Sequence, residues 1–433
     1  MDKKNKKLSG KEIPEFRVCM IGAKCTGKTS MLTSLINQFD AVAQEVGLSF
    51  EAEDKFTQES MDKKHVLLKN LFEKCKQQKD AFDPLELEVE ETTELEVGET
   101  MISRTRQADE YTFCIRATDM KAKMQKEPVI RIVFRDMPGE DITSDVSWIS
   151  EDMKEQINKA SVLLFAVDSV TLMERDGKYA TSYSQIEKIR NLIADEKCKF
   201  LEDEKPKLIL FVPMKCEKYY YAQMMDILTE KVEQHYKPLT DYMQQKDTQD
   251  LITIAVTPVL TMGEIVFSHF KTKDGSETGS VLLKSTETIN AEGQWNQNYK
   301  RPEGIYYTFR GNRENARFSP QFCEQPLLYL LAFINRLENL YEEAQKQAEQ
   351  REKQEHPNKS RLKKVGLFAR AMLDVILIET GFGAPFGIWD LYKLSKKYNK
   401  EIKRVVVINL KTDGDGYKVI NDPLGIKQQN TNA

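Results

Sequence analysis

Gly22-Ala23-Lys24-Cys25-Thr26-Gly27-Lys28-Thr29 has the spacing G-x-x-x-x-G-K-[ST], and its residue types suit the binding of a polyphosphate. Two glycines let the backbone turn so that successive N–H groups point inward around an anion. Lys28 is placed to reach the terminal phosphates, and the Thr29 hydroxyl can be offered to Mg²⁺. Gly22, Ala23, Lys24, Cys25, Thr26, Gly27, Lys28, Thr29 and Ser30 are therefore the candidate phosphate-contacting residues. Cys25 lies among amide dipoles that can lower a thiol pKa, although a small residue fitting the loop is the simpler reading.

A second constellation is Asp136-Met137-Pro138-Gly139-Glu140, at the carboxyl end of the hydrophobic run Val129–Arg135. A carboxylate there can hold Mg²⁺ through a water, so Asp136 joins Thr29 as a candidate metal ligand. The Gly139 N–H can approach a γ-phosphate and swing away when that phosphate leaves.

These residues need particular elements to position them. Phe16–Ile21 reads as a short buried strand entering the loop, and Lys28–Phe39 as a helix leaving it, with Met31, Leu32, Leu35, Ile36 and Phe39 at helical spacing. The helix N-terminus adds partial positive charge to the cradle. Downstream, Glu110–Arg116, Val129–Arg135, Ala160–Asp168, Lys207–Pro213 and Leu251–Val259 read as strands of one sheet, the last of them as its final core strand. A helix is expected over Ser184–Phe200. Residues 50–80 have the spacing of an amphipathic helix or two, and Leu85–Glu90 alternates like an exposed strand. Short strands are expected at Ser280–Lys284 and Ile305–Phe309, then a long helix beginning near Pro326. An apolar helix is expected at Val365–Ile378, and a final hairpin pairs Arg404–Leu410 with Tyr417–Ile420 around Thr412-Asp413-Gly414-Asp415-Gly416.

With the phosphate loop first and D-x-P-G after it, the chain resembles the P-loop GTPases related to translation factors, Ras-like proteins and dynamins, over roughly residues 14–270. The combination D-x-P-G-E, M-K-C-E and V-T-P-V-x-T-x-G is similar to the double-GTPase proteins of bacterial multi-gene conflict (defence) systems. The resemblance implies an α/β P-loop three-layer sandwich, GTP and Mg²⁺ as cofactors, and a hydrolysis or switching cycle. It also implies that Met214-Lys215-Cys216-Glu217 stands where such proteins read N-K-x-D or T-K-x-D. Lys215 would pack along the base, and Glu217 would accept from N1 and the 2-amino group of guanine. Here Met214 replaces the polar first residue, and Glu217 is one methylene longer than Asp. Both Lys215 and Glu217 also suit the cap of a following helix. Thr257-Pro258 stands where the family has a short base-contacting loop, without the S-A-K spelling.

Two catalytic parts follow from the same resemblance. Glu140 occupies the place of a water-orienting residue, and its charge would repel the γ-phosphate unless Mg²⁺ or a cation compensates. The threonine that caps Mg²⁺ falls before the strand at Glu110–Arg116, with Thr100 and Thr105 as candidates and Thr105 nearer. Arg104 and Arg106 beside it offer an internal arginine finger.

Composition bounds the rest. The chain has 433 residues, 64 Lys and Arg against 68 Asp and Glu, and 40% hydrophobic residues: enough for a large core, without the basic excess of a nucleic-acid binder. No direct nucleic-acid partner is expected; a protein partner is. The seven cysteines form no metal-ligand or disulfide spacing, which suggests a reducing cytoplasm. The N-terminal lysines precede no apolar run, so no signal peptide is expected. No uncharged run is long enough to span a bilayer, although the helix at 365–378 suits peripheral membrane or partner contact. The expected organisation is a basic arm at 1–13 and a P-loop domain at 14–340 with insertions near 41–108 and 271–318. A charged linker helix at 341–360 and a small α+β C-terminal helix and hairpin region at 361–433 follow. The leading functional expectation is a nucleotide switch hydrolysing GTP. A non-hydrolysing scaffold and an ATP-using P-loop enzyme remain open at this stage.

Overall fold

The computed structural model describes residues 15–23, 26–76, 85–89, 109–117, 130–139, 147–177, 179–201, 206–244, 251–263, 266–271, 306–311, 318–337 and 403–427. A large, mostly parallel sheet carries helices on both faces. Its central strand, β1 (Glu15–Gly22), leads through the glycine loop into α1 (Lys28–Gln44). Next come β2 (Leu48–Ala52), α2 (Lys55–Lys76), β3 (Leu85–Val89), β4 (Asp109–Ala117), β5 (Ile130–Asp136) and α3 (Ser147–Lys159). The chain then forms β6 (Val162–Asp168), α4 (Ser169–Met173), α5 (Ala180–Ser184), α6 (Ile186–Ala194), β7 (Lys207–Met214), α7 (Glu217–Tyr221), α8 (Met225–Gln244) and β8 (Ile252–Val256). Four more strands are β9 (Val266–Lys271), β10 (Tyr306–Gly311), β11 (Asp413–Gly414) and β12 (Tyr417–Asn421). Two further helical stretches cover 325–337 and 403–409.

The sheet order is β11-β12-β8-β7-β6-β1-β5-β4-β2, with β3-β10-β9 forming a separate small antiparallel sheet. Strand β1 is parallel to both β5 and β6, and β6, β7 and β8 continue in parallel. From β1 the chain goes first to one side, returning at β5, and then crosses to β6 on the other. The carboxyl end of β1 is therefore the topological switch point, where open α/β sheets bind ligands.

Alternation along the central strands builds both layers of core. Val18, Met20, Leu164, Ala166, Leu210, Val212 and Met214 enter one cluster with α1 and the helix at 325–337. Ile21, Leu163, Phe165, Val167, Ile209 and Phe211 enter the other, with α3, α6 and α8. Stacking of Phe165 on Phe211, with ring centroids 5.4 Å apart, ties β6 to β7 on that second face.

Several elements differ from expectation. Residues 403–409 are helical, although the turn signal at 412–416 makes Arg404–Leu410 one arm of a hairpin. A strand would place Val406, Ile408 and Leu410 on one face. Here Val406 and Leu410, four apart, are buried while Ile408 is 59% exposed, so packing overrides the β-branched preference. The hairpin is thereby shortened to Asp413–Gly414 against Tyr417–Asn421. Strand β8 is not the sheet's last: β12 pairs with it in antiparallel fashion. Helix α6 stops at Ala194 because Asp195 turns extended and its carboxylate accepts from the Lys197 N–H and the Lys154 ammonium. Helix α1 runs beyond Phe39 to Gln44, burying Ala43 as well. The stretch read as one helix or two is a strand, β2, followed by the single helix α2. Ser280–Lys284, Val365–Ile378 and the boundaries at 1–13 and 341–360 lie outside the described residues.

Candidate functional site

Close packing shapes the loop after β1. A Cβ on Gly22 would lie 2.7 Å from the Ala166 Cβ and 2.8 Å from its carbonyl oxygen, so only glycine lets β1 approach β6 there. Gly27 sits at φ 105°, a left-handed conformation that glycine adopts without strain, and immediately precedes α1. Its carbonyl accepts from the Met31 N–H at 2.9 Å, so the helix begins directly at the loop. Thr26 turns its hydroxyl onto the Ala23 carbonyl.

Lys28 is only 7% exposed, and its ammonium curls back across the loop. It donates to the Gly22 carbonyl at 2.9 Å and to that of Ala23 at 3.4 Å. The cation is thus held over the loop rather than reaching into solvent. Beside it, the Thr29 hydroxyl donates to the Asp136 carboxylate at 2.6 Å. Met20 and Asp136 are register partners on β1 and β5, and the Met137 N–H bonds to the Met20 carbonyl, fixing where β5 ends. The first and second constellations thus meet at the switch point. Pro138 and Gly139 follow Asp136 and are buried.

A third group beside them has no sequence signal beyond helical periodicity. Lys64 on α2 donates to the Tyr111 hydroxyl at 2.5 Å, and Tyr111 donates to Asp109 at 2.9 Å. Asp109 pairs in register with Asp136 across β4 and β5. Burial lowers the Lys64 pKa, while Asp136 and Asp109 act in the opposite direction. A lysine from the stretch before β4 therefore sits in the field of the carboxylate opposite Thr29.

The Met214–Glu217 stretch lies at the ends of β7 and α7. Met214 is fully buried, and its sulfur lies 3.7 Å from where a Cβ on Gly27 would stand, so an apolar side chain floors the loop. Lys215 adopts φ 56° and donates to Asp168 at 2.7 Å. The same Asp168 caps α4 by accepting from the Thr171 N–H at 3.0 Å. Glu217 is 1% exposed, and its carboxylate accepts from the Met262 N–H at 2.6 Å. Neighbouring backbone amides pull its pKa down, but burial dominates and raises it to about 7.

The segment following β8 is clamped as well. Thr257 and Val259 donate to the Phe211 and Pro213 carbonyls at 2.9 and 3.0 Å, and Leu260 exchanges two backbone bonds with Gln321. Gly263, at φ 81°, passes so close to Ser319 that a Cβ would fall 2.4 Å from its carbonyl oxygen.

The structure therefore brings together Gly22, Ala23, Thr26, Gly27, Lys28, Thr29, Ser30, Asp136 and Gly139 around the end of β1. Lys215 and Glu217 stand at the end of the β7 strand. Lys24, Cys25, Thr105 and Glu140 lie outside the described residues, as do Thr100, Arg104 and Arg106. The described cysteines 19, 114, 198, 216 and 323 are buried free thiols. Burial raises their pKa values, that of Cys19 to about 12. Among the described residues no helix is long and apolar enough to cross a membrane.

No protein-family model matches the sequence, and no curated protein matches it. Among solved structures, the chain is similar to the GTPase-like domain of S. cerevisiae Ski7, solved bound to GDP and inorganic phosphate. The identity is 10% and the TM-score 0.26, over 67% of this chain and 48% of that one. The chain thus spans about half the length of this neighbour.

Proposed function

We propose that this protein is a Mg²⁺-dependent nucleotide switch that binds nucleoside triphosphate at the end of β1 and hydrolyses GTP. The observation that carries the reading is the 2.6 Å hydrogen bond between Thr29 and Asp136, adjoining the glycine loop and the Lys28 ammonium. A hydroxyl and a carboxylate are hard oxygen donors of the kind Mg²⁺ takes alongside phosphate oxygens. Thr29 and Asp136 would hold the ion, with Thr105 completing its shell. Bound there, Mg²⁺ would neutralise charge on the phosphates.

The chain's own residues divide the remaining work. Loop amides from Gly22 to Ser30 cradle the phosphates, and Lys28 gives up its carbonyl partners to meet them. Gly139 senses the γ-phosphate through its N–H, and Glu140 orients the attacking water. Lys215 lies along the base. The spellings at 136–140, 214–217 and 256–263 support a place in a bacterial defence system, acting in the cytoplasm on a protein partner.

Purified full-length protein with Mg²⁺-GTP tests this reading. Slow phosphate release that disappears in Asp136→Ala supports it. Equal release by the variant refutes the assignment.

A further inference from the structure

We infer that Glu217 clamps the segment after β8 instead of reading a base, so that the nucleotide site accepts adenine and guanine triphosphates with little discrimination. The inference rests on the nucleotide-binding reading above and concerns the same site.

Reading guanine by a carboxylate requires two free acceptor positions facing the N1–H and the 2-amino group. Glu217 is 1% exposed and is turned onto the backbone after β8. Its side chain is enclosed, one oxygen lies 2.6 Å from the Met262 N–H, and the neighbouring Thr261 and Gly263 amides face the same carboxylate. The extra methylene relative to aspartate is what lets the group fold back onto these amides. The amides cannot easily release it, because their own segment is held elsewhere. Leu260 is bonded to Gln321 in both directions, Gly263 is pressed against Ser319, and the Tyr221 hydroxyl donates to the Gly263 carbonyl at 3.2 Å. Withdrawing the carboxylate would strand the buried Met262 N–H.

The two neighbours in the stretch add no base-specific polarity. Met214 meets the glycine loop with its sulfur. Lys215 sends its ammonium to Asp168, leaving its aliphatic stem as the part able to lie along a ring. Such a contact depends on ring area and takes either purine. A site that hydrogen-bonds its ligand's polar edge rejects an analogue lacking it by about 10⁴-fold or more, whereas apolar contact discriminates far less, by about 10–200-fold.

The test is displacement of a ribose-labelled fluorescent nucleotide from full-length protein by unlabelled GTP, ITP and ATP, with Mg²⁺ present. ITP is included because hypoxanthine lacks the 2-amino group. Affinities within about 200-fold for all three support the inference, and GTP tighter than ATP or ITP by more than that overturns it. Glu217→Gln keeps an acceptor for the Met262 N–H and should change the GTP-to-ATP ratio less than about twofold. A loss of about tenfold or more in GTP affinity alone would mean that the carboxylate touches the base. Failure of every nucleotide to bind, or undiminished binding by Lys28→Ala, instead refutes the phosphate-site reading and is distinct from either outcome.

Discussion

The Thr29 hydroxyl and the Asp136 carboxylate, 107 residues apart in sequence, meet at 2.6 Å between the first turn of α1 and the end of β5. Asp136→Asn keeps an oxygen to accept from Thr29 and removes the charge. Nucleotide affinity should then lose most of its dependence on Mg²⁺ while the melting temperature stays near that of the parent. Titration calorimetry with and without Mg²⁺ checks this, and an unchanged Mg²⁺ increment would remove Asp136 from the ion's shell.

Lys28 contributes differently, because its ammonium already spans the loop through the Gly22 and Ala23 carbonyls. Lys28→Ala removes both the loop's bridge and the cation meant for the phosphates. Triphosphate binding should fall by about 10- to 150-fold, in line with about 1.5–3 kcal/mol for a charged hydrogen bond. Calorimetry reads this directly, and undiminished affinity would sink the site.

The meeting of the glycine loop with Asp136 was legible in the sequence because the pattern is local: glycines, a lysine and a hydroxyl at fixed spacing, then a carboxylate ending an apolar run. Lys64 was not legible, since helical periodicity says which face of α2 is apolar and not which strand its lysine meets. The fate of Glu217 was hidden for a related reason. Its partners at 261–263 lie in another segment, held by residues 318–321, and nothing at 217 announces them. The helix at 403–409 escaped a reading from the turn at 412–416 because Val406 and Leu410 join a core that includes the helix at 325–337.

Gly22 tests that strand geometry holds the loop. Any side chain there meets both the Cβ and the carbonyl of Ala166 at under 3 Å. Neither can retreat, because β6 is held in register on its other side by β7. Gly22→Ala should destabilise the protein by about 1–3 kcal/mol or more through overpacking, measured by denaturant unfolding. A neutral result would mean that β1 and β6 separate freely.

The C-terminal segment is joined to the core by Gln325. This nearly enclosed side chain donates to the Asn409 carbonyl at 2.9 Å and accepts from the Lys411 N–H at 3.0 Å. Gln325→Leu preserves volume and strands both backbone groups. The expected cost is about 2–6 kcal/mol, from about 1–3 kcal/mol for each of the two unsatisfied groups. Limited proteolysis should also cut the variant near 403–412 faster than the parent. Equal protection would show that Tyr329, whose hydroxyl donates to the Lys411 carbonyl at 2.8 Å, suffices alone.

Glu217 makes stability depend on pH in an unusual direction for a carboxylate. Burial raises its folded pKa to about 7, from 4.5 for an ordinary glutamate. Between these values the folded state binds the proton more tightly than the unfolded chain does. The stability contributed by this group is therefore complete below about pH 4.5 and is lost as pH rises through about 7. The full span is on the order of 3 kcal/mol at 1.36 kcal/mol per pKa unit. Glu217→Gln cannot ionise, so denaturant unfolding from pH 5 to 8 should show a shallower fall with pH than in the parent. Parallel curves for the two proteins would mean that the carboxylate is solvated, and the clamp on residues 261–263 would fail with it.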